Sequence, residues 1–257
     1  MILAIDVGNT NIVLGCIEDG DIRSIVRIQT NPGETAAEYA IKLKQILEIY
    51  DISPRAFEGA IISSVVPPLT NSLKEAVRKL TGIECLVVGP GMRTGMNVRI
   101  DDPGTLAGDL VVGSVAAMET YGAPVIVLDM GTATTIVAID RSRAYIGGAI
   151  IPGVNLSYGA LAAGTSLLPS ISITAPKKVI ATNTVDSMRS GAVYGTAAML
   201  DGMIERMEAE LGEKCTVVAT GGLGRIIADE TDTIDIYDSA LTLDGLRILY
   251  EKNCSGK

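Results

Sequence analysis

The apolar positions of this chain fall into runs of two kinds, and one of them recurs. Ile2-Leu3-Ala4-Ile5 ends in Asp6, followed by Gly8, Asn9, Thr10 and Asn11, and Val125-Ile126-Val127-Leu128 ends in Asp129, followed by Gly131 and Thr132. The copies lie 123 positions apart (129 − 6). Each continues into a second apolar run and a polar turn, Glu18-Asp19-Gly20-Asp21 in one and Asp140-Arg141-Ser142-Arg143 in the other, which reads as strand, tight turn, strand. A repeat of about half the chain predicts two related domains, 1–115 and 116–257. No low-complexity linker separates them, so a continuous hinge is expected rather than a flexible tether.

The other runs have helical spacing. Ala37, Ala40, Leu43, Ile46 or Leu47, and Tyr50 predict a helix over 34–50. A strand over 59–66 stops at Pro67-Pro68, a second helix spans about 69–80, and 84–88 is a short strand. Asp102 before Pro103 predicts an N-cap and first helical turn, which would set Asp109 about two turns in. The second half reads as a strand over 124–128, a long helix over about 184–211, a strand over 215–219 that runs into Thr220-Gly221-Gly222-Leu223-Gly224, and a last helix near 241–252 able to cap either half. Gly191 and Gly195 each cost about 1 kcal/mol against alanine inside a helix, so close packing against another backbone is expected there. Strands alternating with helices of these lengths predict an α/β layer fold.

Composition narrows the chemistry. With hydrophobic residues at 47% of 257, the chain can bury a full core. A net charge of −9 without a basic block argues against nucleic acid or an anionic membrane as the main partner. The chain has no histidine. That removes Ser-His-Asp and Cys-His nucleophiles and histidine-ligated zinc, and leaves a carboxylate as the general base. Cys16, Cys85, Cys215 and Cys254 form no CxxC pair and read as apolar fillers. Free thiols and the absence of a signal peptide point to the cytoplasm. The stretch 144–176 is free of charge, yet its prolines and glycines break any spanning helix. It reads instead as a buried, loop-rich segment at an active site or a subunit interface.

A buried strand that ends in a carboxylate and then exposes glycine and threonine amides presents a metal-binding oxygen beside phosphate-sized donors. Two facing copies could hold a triphosphate. The Gly221-Gly222 turn would let a flat base or ribose approach the backbone. No Walker A pattern occurs, and no GxGxxG opens a helix after a strand, which disfavours the P-loop and Rossmann routes.

These three elements, in this order, resemble the phosphate 1, phosphate 2 and adenosine motifs of the sugar kinase, Hsp70 and actin superfamily. The resemblance implies two ribonuclease H-like domains with mixed sheets and flanking helices, the actin-like ATPase fold, with nucleotide in the interdomain cleft. Within it the chain resembles the type III pantothenate kinases, through Asp6-Val-Gly-Asn-Thr-Asn11, Asp101-Asp-Pro with Gly108-Asp109, Asp129-Met-Gly-Thr-Ala-Thr-Thr135, Gly147-Gly-Ala-Ile-Ile-Pro-Gly153, Asn183-Thr184, Ser190-Gly-Ala-Val-Tyr-Gly195 and Ala219-Thr-Gly-Gly-Leu223.

That resemblance implies ATP-dependent phosphorylation of pantothenate in a homodimer, with Mg²⁺ and a monovalent cation, K⁺ or NH₄⁺. It implies Asp109 as the base that accepts the hydroxyl proton, with Ala107, Gly108, Leu110 and Thr184 at the acceptor, the last near the dimer interface. Asp6 would organise Mg²⁺ and the phosphates with Gly8, Asn9, Thr10 and Asn11. Asp129 would bind the monovalent cation, Thr132 would contact phosphate, and Gly221 and Gly222 would lie near adenosine. Capping is the better reading of Asp101 and Asp102.

One departure stands out. The family usually has Gly-Ala-Asp-Arg where this chain has Ala107-Gly108-Asp109-Leu110, and many members carry an aromatic at the place of Ile100. Leucine cannot supply a cationic fork. Arg99 and Arg143 are the candidate replacements. Two alternatives follow from this: a kinase of the same fold for another small alcohol, and a non-catalytic nucleotide-binding regulator.

Overall fold

The computed structural model describes residues 1–254. They form two compact units, one of Met1–Gly95, Asp102–Ala116 and the chain from Leu241, the other of Met96–Asp101 and Ala117–Ala240. The first unit opens with β1 (Ile2–Val7), β2 (Asn11–Glu18) and β3 (Asp21–Gln29), an antiparallel meander. It continues through α1 (Ala36–Ile49), β4 (Gly59–Ser64), α2 (Pro67–Thr81) and β5 (Cys85–Val87). Its sheet runs β3-β2-β1-β4-β5, with the β1–β4 and β4–β5 pairs parallel.

After β6 (Asn97–Val98) and α3 (Gly108–Tyr121), the second unit repeats the scheme with β7 (Val125–Met130), β8 (Ala133–Ile139) and β9 (Ala144–Pro152). Then come α4 (Val154–Ala163), α5 (Thr184–Ser190), a π-helical turn Gly191–Gly195, α6 (Thr196–Leu211), β10 (Thr216–Thr220), α7 (Gly224–Ala228), β11 (Ile236–Tyr237) and α8 (Leu241–Cys254). The second sheet runs β11-β10-β7-β8-β9-β6, the first sheet's order with β6 added at the β9 edge. β1 and β7 start 123 residues apart (125 − 2), and so do β3 and β9 (144 − 21). The recurring motif is therefore one recurring topology.

Two-sided burial explains why β1 is apolar without alternation. Leu3, Ile5 and Val7 pack with Tyr39 and Leu43 of α1 and Leu69 and Leu73 of α2. Ile2 and Ala4 pack with Val112 and Val115 of α3 and Leu243, Leu246 and Leu249 of α8. Local signals set the helix ends. Thr35 caps α1 in a capping box, its amide donating to Glu38 Oε2 at 2.7 Å. α2 starts on Pro67 and Pro68 and stops at Gly82, whose φ of +78° few other residues adopt.

Three expectations are corrected. Asp102 caps only a 3₁₀ turn, Pro103–Thr105; extended backbone at Leu106 breaks the helix, and α3 restarts at Gly108, so Asp109 sits in the first turn. The helix predicted over 184–211 widens into a π turn at Gly191–Gly195. There Gly191 makes room for the Tyr158 hydroxyl, 2.5 Å from an ideal Cβ, rather than for another backbone. The uncharged stretch 144–176 holds a regular strand and a helix, and much of it is exposed, including Ile150 and Leu167.

Two glycine substitutions should separate packing from propensity. A methyl on Gly245 in α8 would collide with the Val112 carbonyl and lie 2.8 Å from Val112 Cγ1. Gly245→Ala should lower the unfolding free energy by about 1–3 kcal/mol in urea melts. Gly202→Ala in α6 meets only the flexible tip of Arg206 and should stabilise by up to about 1 kcal/mol.

Candidate functional site

In the first unit β1 is buried through Ile5, and Asp6 is half-buried one residue before the strand ends at the buried Val7. Side-chain alternation puts Asp6 on the side of Ile2 and Ala4, facing α3 and α8. The parallel register of β4 sets Ser63 beside Asp6 on that same side. α3 starts there: an ideal Cβ on Gly108 would lie 3.4 Å from Ser63 Oγ and 3.5 Å from Val88 Cγ1. The fold thus carries the segment Ala107 to Leu110 to the Asp6 face of this sheet.

Asp109 is the second residue of α3, and its Oδ1 accepts from the Leu110 amide at 2.8 Å. Burial pushes its carboxyl above the usual range, against the lowering effect of the Leu110 amide and its own. The turn after Asp6 closes by Gly8 N donating to Asn11 O at 3.0 Å. Thr30 holds it from below, its Oγ1 donating to Gly8 O at 2.7 Å and its amide to Thr10 O at 3.0 Å. Asn9 and Thr10 are exposed at the tip, and Asn11 opens β2.

The second unit gathers its own group. Asp129, half-buried, pairs in register with Thr135 of β8 and Thr220 of β10, so the Gly221 turn begins beside it. Gly131 N donates to Ala133 O at 3.0 Å, and Gly153 N to Thr132 O at 3.1 Å. A Cβ on Gly153 would collide with the carbonyls of Gly131 and Thr132; one on Gly221, at φ +97°, would sit 2.6 Å from the Met130 backbone. Tyr237 donates its hydroxyl to Gly221 O at 3.0 Å, and Gly224 N closes the turn on Gly221 O at 3.1 Å. Asp129, Thr132, Gly221 and the exposed Gly222 therefore belong to one tightly packed corner. Thr184 lies apart, exposed at the start of α5, which Asn183 caps by accepting from Asp186 N at 2.9 Å. The bonds of α5 run to the coil before it, Ser190 Oγ donating to Val179 O at 2.6 Å.

The residue pattern did not single out Thr30, Ser63 or Tyr237, and it marked Gly153 only as the end of the motif 147–153, without a role. Ser63 Oγ is fully buried without a hydrogen-bond partner, and nothing in the apolar context Ala60-Ile-Ile-Ser63 marks it. The two arginines considered as replacements for the absent one are engaged: Arg99 with Asp140 at 3.4 Å, Arg143 with Glu119. Among the described residues no three His, Cys, Asp or Glu side chains cluster as a metal site. Mg²⁺ is held through one or two carboxylates together with phosphate oxygens, a role that the half-buried Asp6 carboxylate fits; the Asp129 carboxylate, in register with Thr135 and Thr220, offers oxygen of the kind a hard monovalent cation takes. No helix among the described residues is long and apolar enough to cross a membrane.

Known proteins resemble this chain in sequence or in fold. A relative from Halalkalibacterium halodurans named type III pantothenate kinase is 44% identical over 253 residues, 98% of this chain and 100% of that protein. Component A of (R)-2-hydroxyglutaryl-CoA dehydratase from Acidaminococcus fermentans matches with a TM-score of 0.60 at 15% identity, over 100% of this chain and 99% of the other. A protein described as an N-acetylmannosamine kinase, from Listeria monocytogenes, matches at 0.53 and 14%, over 97% and 98%. At such identities the last two speak for the fold, the α/β actin-like ATPase architecture expected above. The model of one family, described as type III pantothenate kinase, matches residues 2–206, and with the relative just named it establishes that the chain belongs to the type III pantothenate kinase family.

Proposed function

We propose that this protein transfers the γ-phosphate of ATP to the primary hydroxyl of pantothenate, giving 4′-phosphopantothenate, the first step of coenzyme A synthesis. The observation that carries the site assignment is the placement of Asp109: a carboxyl made more basic by burial, at a helix start on the Asp6 face of its sheet. As the hydroxyl oxygen bonds to the γ-phosphorus and the bond to the bridging oxygen of ADP breaks, the hydroxyl proton passes to Asp109. Deprotonation is late in so loose a transition state, so a carboxylate suffices. Gly8 shapes the turn, and the Asn9 amide with the side chains of Asn9, Thr10 and Asn11 bind and orient phosphate oxygens, as does Thr132. Gly221 and Gly222 give adenosine close approach. Ala107, Gly108, Leu110 and Thr184 shape the acceptor site.

Asp6 would hold Mg²⁺, which supplies charge neutralisation to the phosphates. Asp129 would hold K⁺ or NH₄⁺. We place the division of two ATPase-type domains near residues 115–116, and the enzyme in the cytoplasm as a homodimer. The second copy is supported by large apolar side chains that the second unit leaves exposed, Ile146, Ile150, Leu156, Leu161, Leu167 and Ile180, of which Leu167 is 90% and Ile180 85% exposed.

ADP release should require pantothenate and Mg²⁺ and fall about 10²–10⁴-fold in Asp109→Asn. Turnover with another small alcohol but not with pantothenate would overturn the acceptor, and nucleotide binding without turnover on any acceptor would overturn the kinase reading. Because the folded carboxyl titrates above the usual carboxylate range, activity should fail on acidification at a higher pH than an exposed aspartate would give. Stability has the opposite sign. A raised folded pKa costs stability above that pKa and nothing below the unfolded one, so Asp109→Asn should melt above the wild type at neutral pH while being inactive. Replacing K⁺ or NH₄⁺ by Na⁺ should reduce turnover in the wild type; equal rates in all three salts would remove the role given to Asp129.

A further inference from the structure

The turn after Asp6 is held by a residue outside every motif noted above. We infer that Thr30, at the end of β3, is a positioning residue for the phosphates of the nucleotide, acting through the Gly8–Asn9 peptide; this rests on the kinase reading given above. Its hydroxyl donates to Gly8 O at 2.7 Å and its amide to Thr10 O at 3.0 Å. In a trans peptide the carbonyl and the next amide point in opposite directions. Fixing Gly8 O against Thr30 therefore aims the Asn9 N–H away from Thr30, at the exposed tip of the turn. A bonded carbonyl also polarises its peptide and makes that amide a better donor. Backbone amides presented in this way bind anionic oxygens.

The repeat supplies an internal control. Position 30 corresponds to position 153 at the 123-residue spacing; the second turn is one residue shorter, closing from Gly131 N to Ala133 O where the first closes from Gly8 N to Asn11 O, so Thr132 stands where Thr10 does and Gly153 makes the matching main-chain bond, its amide donating to Thr132 O at 3.1 Å. There a side chain has no room, since a Cβ would collide with the carbonyls of Gly131 and Thr132. The first unit instead stands its turn off by one threonine side chain, and the hydroxyl of that side chain takes the Gly8 carbonyl. One position thus carries a shared backbone bond in both units and an added hydroxyl bond in one. Thr30 is itself anchored: Tyr39, fully buried in α1, accepts from Asn31 N at 3.4 Å and donates to Asn31 O at 3.0 Å. A path of bonds thus leads from the core of the first unit to the turn.

Thr30→Val keeps shape, strand propensity and the amide bond, and deletes only the hydroxyl. It should raise the KM for MgATP about three- to tenfold, the worth of one hydrogen bond, and leave the KM for pantothenate within about twofold. Thr30→Ser should restore the wild-type value. Tyr39→Phe should shift the KM for MgATP in the same direction by less, with a less than additive effect in the double variant. Calorimetric binding of Mg²⁺ with a non-hydrolysable ATP analogue to the same variants should show the same ranking without any acceptor. Wild-type turnover together with an unchanged KM for MgATP in Thr30→Val, or a lowered melting temperature as its only effect, would overturn the role of Thr30. No turnover on pantothenate by the wild type would overturn the kinase reading, while the calorimetric ranking would still judge Thr30. No nucleotide binding by the wild type would overturn both.

Discussion

A strand covered on both faces has to open one face while the other stays packed if it is to end at a site, and that constraint organises both units. β1 is buried from Ile2 to Ile5 and β7 from Val125 to Leu128; in each the next residue is a half-buried aspartate, and the last, Val7 or Met130, is buried on the opposite face. The chain must then reverse where neighbouring backbone leaves no space. At the second turn this is quantitative: methyl groups on Gly153 or Gly221 would collide with the main chain of Met130 to Thr132. The glycines are required by the proximity of three segments, and that proximity is what leaves main-chain donors at the surface.

The same constraint is met differently twice. In the second unit the turn is packed down by Gly153 and tied through Gly221 to the Tyr237 hydroxyl. In the first it is propped on Thr30 and left with Asn9 and Thr10 exposed. Both turns keep exposed residues at the tip, Gly131 and Thr132 in the second, so equivalent topology yields two exposed turns that differ in what supports them. Asp109 stands outside both turns, and α3 delivers it to the Asp6 face of the first sheet.

Much of this was legible in the chain. Strand ends at Asp6 and Asp129 showed because burial on both faces leaves long apolar runs, and α1 and α2 showed because a helix on a sheet needs an apolar stripe. Family motifs carried the site residues. The boundaries that failed did so for local reasons. Asp102-Pro103 offers a strong cap, yet extended backbone at Leu106 wins, so the helix restarts at Gly108. The glycines near 191 suggested backbone contact, whereas a tyrosine hydroxyl from α4 occupies the space. Thr30 and Ser63 left no trace, because a single hydroxyl at a strand end differs from an ordinary threonine or serine only in what tertiary packing sets beside it.

Leu110 acquires a physical meaning from its neighbour. A guanidinium one residue after Asp109 would favour the charged carboxylate and pull its pKa down. With leucine there, and with Arg99 and Arg143 committed to Asp140 and Glu119, burial dominates and the carboxyl is pushed up. A more basic carboxylate takes a proton more readily in the transition state, while the lost fork removes an anchor for an anionic group. If Asp109 is the base, as proposed, the exchange would move the burden of this site from electrostatic capture of the acceptor toward proton transfer, and would leave orientation of the acceptor to shape.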